Sequence, residues 1–119
     1  MSNIATFEKQ INDMILGGKA MDAFEKFYAE DVVMQDNDDA PWSGKAFNRE
    51  RELQFFGSVA EVHQLSLENS ASGDDFSGSE WTYDVTFKGG PRVKWGQAAV
   101  RRWKDGQVVH ERFYHKTLG

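Results

Sequence analysis

Between Met21 and Asp36 the apolar spacing of the chain changes from helical to extended within a few residues, and this leaves few folds open. Ala20, Ala23, Phe24 and Phe27 recur at helical steps, on one face. After Ala29, Glu30 and Asp31 the pattern becomes Val32-Val33-Met34, a run rich in β-branched residues that ends in polar Gln35, Asp36 and Asn37. A second stretch, Arg101 to Lys116, reads as a strand, a tight turn at Lys104-Asp105-Gly106 and a returning strand. Helix passing into strand early, with a hairpin at the end, points to an α+β domain.

The rest of the chain fits that frame. Ile4, Phe7, Ile11, Met14 and Ile15 make the apolar stripe of a first helix over Ile4 to Leu16, which Gly17-Gly18 should end. A short second helix then folds back on it. The segment from Asn37 to Gly44 is a loop by composition, followed by a third helix over Lys45 to Phe56 whose inner stripe is expected to be Ala46, Leu53 and Phe56, with Arg49 or Glu50 completing the turn between them. Everything after Gly57 is strand-like. Leu65 and Leu67 alternate within Val62 to Ser70, and Ser72-Gly73-Asp74-Asp75 turns the chain. Trp81, Tyr83, Val85 and Phe87 alternate strictly with Glu80, Thr82, Asp84 and Thr86. Val93, Trp95, Gln97 and Ala99 share one face of the next strand. The expected architecture is therefore three helices followed by a four-stranded meander, with one short earlier strand at the edge of the sheet.

Composition narrows the function. With 119 residues the chain makes one domain, and 13% aromatic residues supply bulky apolar surface for a core, a lined cavity or a subunit interface. A formal net charge of −5 argues against a nucleic-acid or anionic-membrane binder. The most basic stretch, Arg92 to Lys104, is interleaved with apolar residues and reads as the solvated face of a strand. There is no cysteine, which excludes disulfides and thiolate chemistry. The N-terminal segment carries Glu8 and Asp13 and no continuous apolar run, so no signal peptide or membrane span is expected, and a cytoplasmic location follows by default. His110 and His115 point to opposite faces of a strand, and the loop after Asp36 has Pro41 where a calcium loop needs glycine, so no metal and no cofactor is expected.

Taken together, MDAFEKFYAEDVVMQD (Met21 to Asp36) and RRWKDGQVVHERFYHK (Arg101 to Lys116) resemble the SnoaL-like branch of the NTF2-like superfamily, across essentially the whole chain. The resemblance implies a cone-shaped α+β fold, three N-terminal helices packed on a curved, mainly antiparallel sheet, with one internal pocket and a homodimeric assembly. It also implies site residues. In the related ketosteroid isomerases the stretch matching Met21 to Asp36 ends in the acidic proton shuttle, which makes Asp36 a candidate catalytic base. A carboxylate at the lip of an apolar cavity has its charged form disfavoured; a solvated loop carboxylate beside Asp38 and Asp39 is the alternative. The isomerase's tyrosine falls near Asn12 or Asp13 here, and its second acid near Ala99, so steroid isomerisation is not implied.

The last strand offers Glu111 as a second catalytic candidate. Its alternation permits either Glu111, Phe113 and His115 or Val108, His110 and Tyr114 on the inner face; the resemblance favours the first set. A buried Glu111 needs a partner, and Arg49 on the third helix is the expected one, against the alternative of a surface pair with a neighbouring strand's arginine. Trp42, Phe55, Trp81, Tyr83, Trp95 and Phe113 could stack on a flat organic ligand, oriented by Gln35, Gln97 and Tyr83. Three functions compete: a cofactor-free acid/base enzyme of isomerase, cyclase or hydratase type, a non-catalytic carrier of a small molecule, and an interaction module. In the last, an outer sheet face of Thr82, Thr86, Ala98, Val100 and Tyr114 would form a homodimer.

Overall fold

A computed structural model describes residues 3–116. The chain runs α1 (Ile4–Leu16), α2 (Ala20–Phe27), β1 (Tyr28–Asp36), β2 (Trp42–Ser43), α3 (Lys45–Gly57), β3 (Val59–Ser72), β4 (Phe76–Phe87), β5 (Arg92–Lys104) and β6 (Gln107–His115). Six strands form one open sheet in the order β2-β1-β6-β5-β4-β3. All neighbours are antiparallel except β1 and β6, which run parallel.

Two expectations about architecture need correcting. The helices do not all precede the sheet, because β1 and β2 lie between α2 and α3. The early strand is not at the edge either. It starts at Tyr28, directly on the end of α2, and pairs with β6, leaving the two-residue β2 as the edge. The helix-to-strand switch has no spacer: Glu30 and Asp31 fall where the β1–β6 register shifts between Tyr28 and Val33, an irregularity that keeps both carboxylates exposed while Tyr28, Val32 and Met34 are buried.

At one end α1 and α2 close over the sheet as the expected stripes require. Ile4, Ile11, Ala23, Phe24 and Phe27 pack with Val32, Trp103 and Val108, and Phe7 completes a ring cluster 5.5 Å from Phe27 and 5.8 Å from Trp103. Burying side chains of this size contributes about 1.5–3 kcal/mol each. Gly18, at φ +78°, ends α1 as expected. Asp105 and Gly106, both at positive φ, make the two-residue turn that sets the β5–β6 hairpin.

At the other end α3 spans the sheet without filling it. Its inward positions are Lys45, Asn48, Glu52 and Phe55; of the expected stripe Ala46 and Leu53 face outward, while Phe56, although exposed, borders the cavity. Leu53 is 45% exposed and Phe47 55%. Polar anchoring decides the rotation: Lys45 Nζ donates to the Glu25 carbonyl at 2.9 Å, and Asn48 Nδ2 donates to the carbonyls of Trp42 and Gly44, both at 2.9 Å. No helix among the described residues is long and apolar enough to cross a membrane.

Candidate functional site

The space between α3 and the inner face of the sheet is a cavity of about 400 Å³, within the usual range for small-molecule sites. Strand alternation builds its walls. Trp81 and Tyr83 come from β4, Trp95, Gln97, Ala99 and Arg101 from β5, and Glu111, Phe113 and His115 from β6. Phe24 and Tyr28 close one end, while Glu52 and Phe55 descend from α3. The Tyr83 and Trp95 rings stack 4.9 Å apart with planes 6° from parallel.

Glu111, Phe113 and His115 thus share the cavity face, yet Val108 is buried too. Val108 is inward as well because the β5–β6 register slips between Arg102 and Trp103, so that Val108 and His110 oppose adjacent β5 residues; the rest of its set does not follow, since Tyr114 is exposed. The bulge lets one strand serve the apolar core at its start and the cavity at its end.

The cavity floor is a buried ionic cluster that the sequence reading placed elsewhere. Arg49 does not reach Glu111. It forms a surface pair with Glu25, Nε to Oε2 at 2.5 Å, because its position on α3 faces α2 rather than the cavity. Glu111, 1% exposed, is held instead by Arg101 of the neighbouring strand, Nε to Oε2 at 2.6 Å, and by the Tyr28 hydroxyl, which donates to the same oxygen. Arg101 is therefore not part of a solvated strand face. It is 2% exposed, and its Nη1 donates to Glu8 Oε2 at 2.8 Å. Glu8 also accepts from Ser77 at 2.6 Å and Ser79 at 2.5 Å, and Asn12 and Trp103 donate to those serines. Burial works against the Arg101 charge, but Tyr28, Glu111 and Glu8 outweigh it and hold its pKa well above the ordinary value. Burial likewise raises the Tyr28 pKa, so its hydroxyl keeps its proton and donates.

Every buried side-chain nitrogen and oxygen among the described residues has a partner. Arg101 Nη2 has none, so it must meet the open cavity. Two further polar groups in the cavity make no hydrogen bond to another described residue: the Tyr83 hydroxyl and the Glu52 carboxyl. Burial pushes the Tyr83 phenol up to about 12, with Glu52 and Glu111 adding to the shift against Arg101. Glu52 is pushed up to about 7, first by desolvation and then by the Glu111 and Asp36 charges, against the pull of Arg51 and Arg101. A group poised there exchanges protons readily at neutral pH.

Asp36 lies at the cavity rim, 3.7 Å from His115 Nε2 and 4.0 Å from Arg51 Nη2. The Arg51 guanidinium carbon lies over the Trp42 ring, 3.1 Å from its centroid. Of the residues singled out from sequence, Asp36, Phe55, Trp81, Tyr83, Trp95, Gln97, Glu111, Phe113 and His115 line the cavity. Gln35, Trp42 and Arg49 do not: Gln35 donates to the Asp39 carbonyl, Trp42 sits behind Arg51, and Arg49 faces Glu25. Glu52 and Arg101 were missed. Among the described residues no group of three or more His, Asp or Glu is placed to hold a metal ion.

A profile of the SnoaL-like domain matches residues 3–115. The chain belongs to the SnoaL-like domain family. This SnoaL-like chain is similar to a Mesorhizobium loti structure provisionally named a SnoaL-like polyketide cyclase (and carbohydrate phosphatase), at 27% identity over 96% of this chain and 99% of that one, with a TM-score of 0.85. Two more distant structures show the fold alone. One is a provisionally named isomerase from Rhodopseudomonas palustris, at 15% identity over 98% and 91% of the two chains, TM-score 0.73. The other is an epoxide hydrolase of LEH-like type from M. tuberculosis, at 15% identity over 93% and 80%, TM-score 0.73. Among curated proteins none matches the SnoaL-like chain significantly.

Proposed function

We propose that this SnoaL-like domain is a cofactor-independent acid/base enzyme acting on a small, largely apolar organic molecule, in an isomerisation, cyclisation or hydration. The observation that carries the reading is the Glu52 carboxyl, unpaired inside an aromatic cavity and poised at about 7. Glu52 is the principal proton carrier. Asp36, within reach of His115 at the rim, passes protons between cavity and solvent. Glu111 is bound by Arg101 and Tyr28, so its role is electrostatic: it anchors Arg101 and raises Glu52. Trp81, Tyr83, Trp95 and Phe113 hold the body of the substrate, with Gln97 and the Tyr83 hydroxyl as orienting groups. The provisional cyclase name of the similar Mesorhizobium loti structure supports this reaction class.

The test begins with native mass spectrometry of freshly purified protein, which identifies a retained compound, followed by turnover of that compound. Glu52→Gln should lower kcat at least about 100-fold, and the wild-type pH–rate profile should bend near 7. A compound recovered unchanged and never converted would overturn the enzyme reading in favour of a carrier.

The same proposal includes a homodimer through the outer sheet face. Tyr114 is 45% exposed there, across from Ala98, with Val100 opposite Arg112. Sedimentation should give twice the chain mass at micromolar concentration, and Tyr114→Asp should give the monomer. A monomeric wild type would remove this part of the proposal.

A further inference from the structure

The balance of charge around the cavity indicates what kind of molecule it takes. Three carboxylates, Glu8, Glu52 and Glu111, lie in the field of Arg101, which is bonded to Glu8 and Glu111, while a second guanidinium, Arg51, lies at the rim in the field of Asp36 and Glu52. Arg101 Nη2 still offers a hydrogen-bond donor, but its charge is already matched. Asp36 is matched by Arg51. The remaining cations on α3 are spent elsewhere, since Lys45 and Arg49 both pair with Glu25. What is left over is negative, and it is concentrated at Glu52; Asp39, the other cavity carboxyl without a partner among the described residues, is exposed to solvent.

We infer that the cavity recognises a cationic, amine-derived group attached to an apolar body, with Glu52 as its counter-ion and the aromatic walls packed around it. This rests on the reading of Glu52 as the working carboxyl of the cavity. An ammonium supplies the positive charge that the cluster lacks, whereas a carboxylate or phosphate ligand would add to the excess. Trp81, Tyr83, Trp95 and Phe113 line the cavity, and the quadrupoles of aromatic rings favour a cation in a desolvated site. Burial strengthens the pairing, because the low dielectric that disfavours a lone carboxylate favours the paired one.

The inference has a pH signature. Groups facing Glu52 are Arg51 on its own helix, Asp36 from β1, Tyr83 from β4, Arg101 from β5, and Glu111 with His115 from β6. Tyr83 keeps its proton through the neutral range and Arg101 its charge. The cation should bind the ionised form of Glu52, so affinity should rise as pH passes through 7, and the bound cation should in turn draw the Glu52 midpoint down.

The experiment uses benzyltrimethylammonium, which carries a fixed charge at every pH, beside its neutral carbon isostere neopentylbenzene and the anion phenylacetate. Binding is followed by tryptophan fluorescence from pH 6 to 8. The cation should bind at least tenfold tighter than the isostere and tighten about tenfold across that range, the change in ionised fraction for a group titrating near 7. Glu52→Gln should remove both effects, which separates Glu52 from His115. Equal binding of isostere or anion, or a pH dependence that survives in Glu52→Gln, overturns the inference. Carboxyl NMR of the ligand-free wild type separates this failure from that of the proposed function. A Glu52 midpoint near 7 without cation preference overturns the cation alone, and an ordinary carboxylate midpoint overturns both.

Discussion

Glu52 carries an energetic signature that can be read without any substrate. Its ordinary pKa is 4.5 and its folded one about 7, so between those values the native state holds a proton that the unfolded chain has released. The associated stability is complete below 4.5 and lost as pH rises through 7. A shift of that size corresponds to at most roughly 3 kcal/mol. Urea unfolding at pH 4.5 and pH 8 should show the wild type losing stability relative to Glu52→Gln, with the variant the more stable protein at pH 8. Such a gain, alongside lost turnover, is the expected mark of a residue kept for chemistry rather than for folding. Parallel curves at both pH values would mean that Glu52 is not desolvated. Neither Glu52 nor Arg101 stands out in the sequence as a site residue, because charged side chains at strand and helix positions are usually solvated. Yet the spacing was there to be followed. Val93, Trp95, Gln97 and Ala99 set an inward parity that continues to Arg101 and Trp103, and two residues further along the same alternation a basic stretch becomes a buried one.

Helix α3 shows where periodicity misleads at the scale of an element. Its apolar residues suggest one face, but the inward positions Lys45, Asn48, Glu52 and Phe55 follow an equally regular helical spacing with mostly polar side chains. Lys45 and Asn48 satisfy backbone carbonyls of α2 and β2 that no apolar residue could satisfy, and those contacts set the rotation. Asn48→Ala should therefore cost about 1–3 kcal/mol, while Leu53→Ala should stay within about 0.5 kcal/mol of wild type; thermal melts of the two variants decide between the faces. The helix-to-strand switch at Met21 to Asp36, the β4 alternation and the final hairpin were legible because each buries one face and exposes the other. The bulge in β6 was not. The burial of Val108 on the same strand as Glu111 depends on a register slip that only the pairing with β5 creates. The exchange of Arg49 for Arg101 has the same origin, since which arginine meets Glu111 depends on strand neighbours and not on chain position.

For the molecule as a whole, the ionic cluster ties the first helix to the last hairpin. Glu8 and Arg101 are 93 residues apart, and Tyr28 and Glu111 are 83 apart. Contacts at such separations form only after long loops have closed, and they slow folding. Glu8→Gln leaves Arg101 short of a partner and should destabilise by about 3 kcal/mol. Stopped-flow chevrons should place nearly all of that in a faster unfolding rate, with refolding little changed. A large fall in the refolding rate would instead put the cluster in the folding nucleus. The same separation has a consequence during synthesis. At roughly 5–20 residues per second, Glu8 leaves the ribosome several seconds before Arg101 is made. For that interval the first helix can pack on α2 but presents a carboxylate whose cationic mate does not yet exist, so α1 reaches its final seat on the sheet only when the last hairpin arrives.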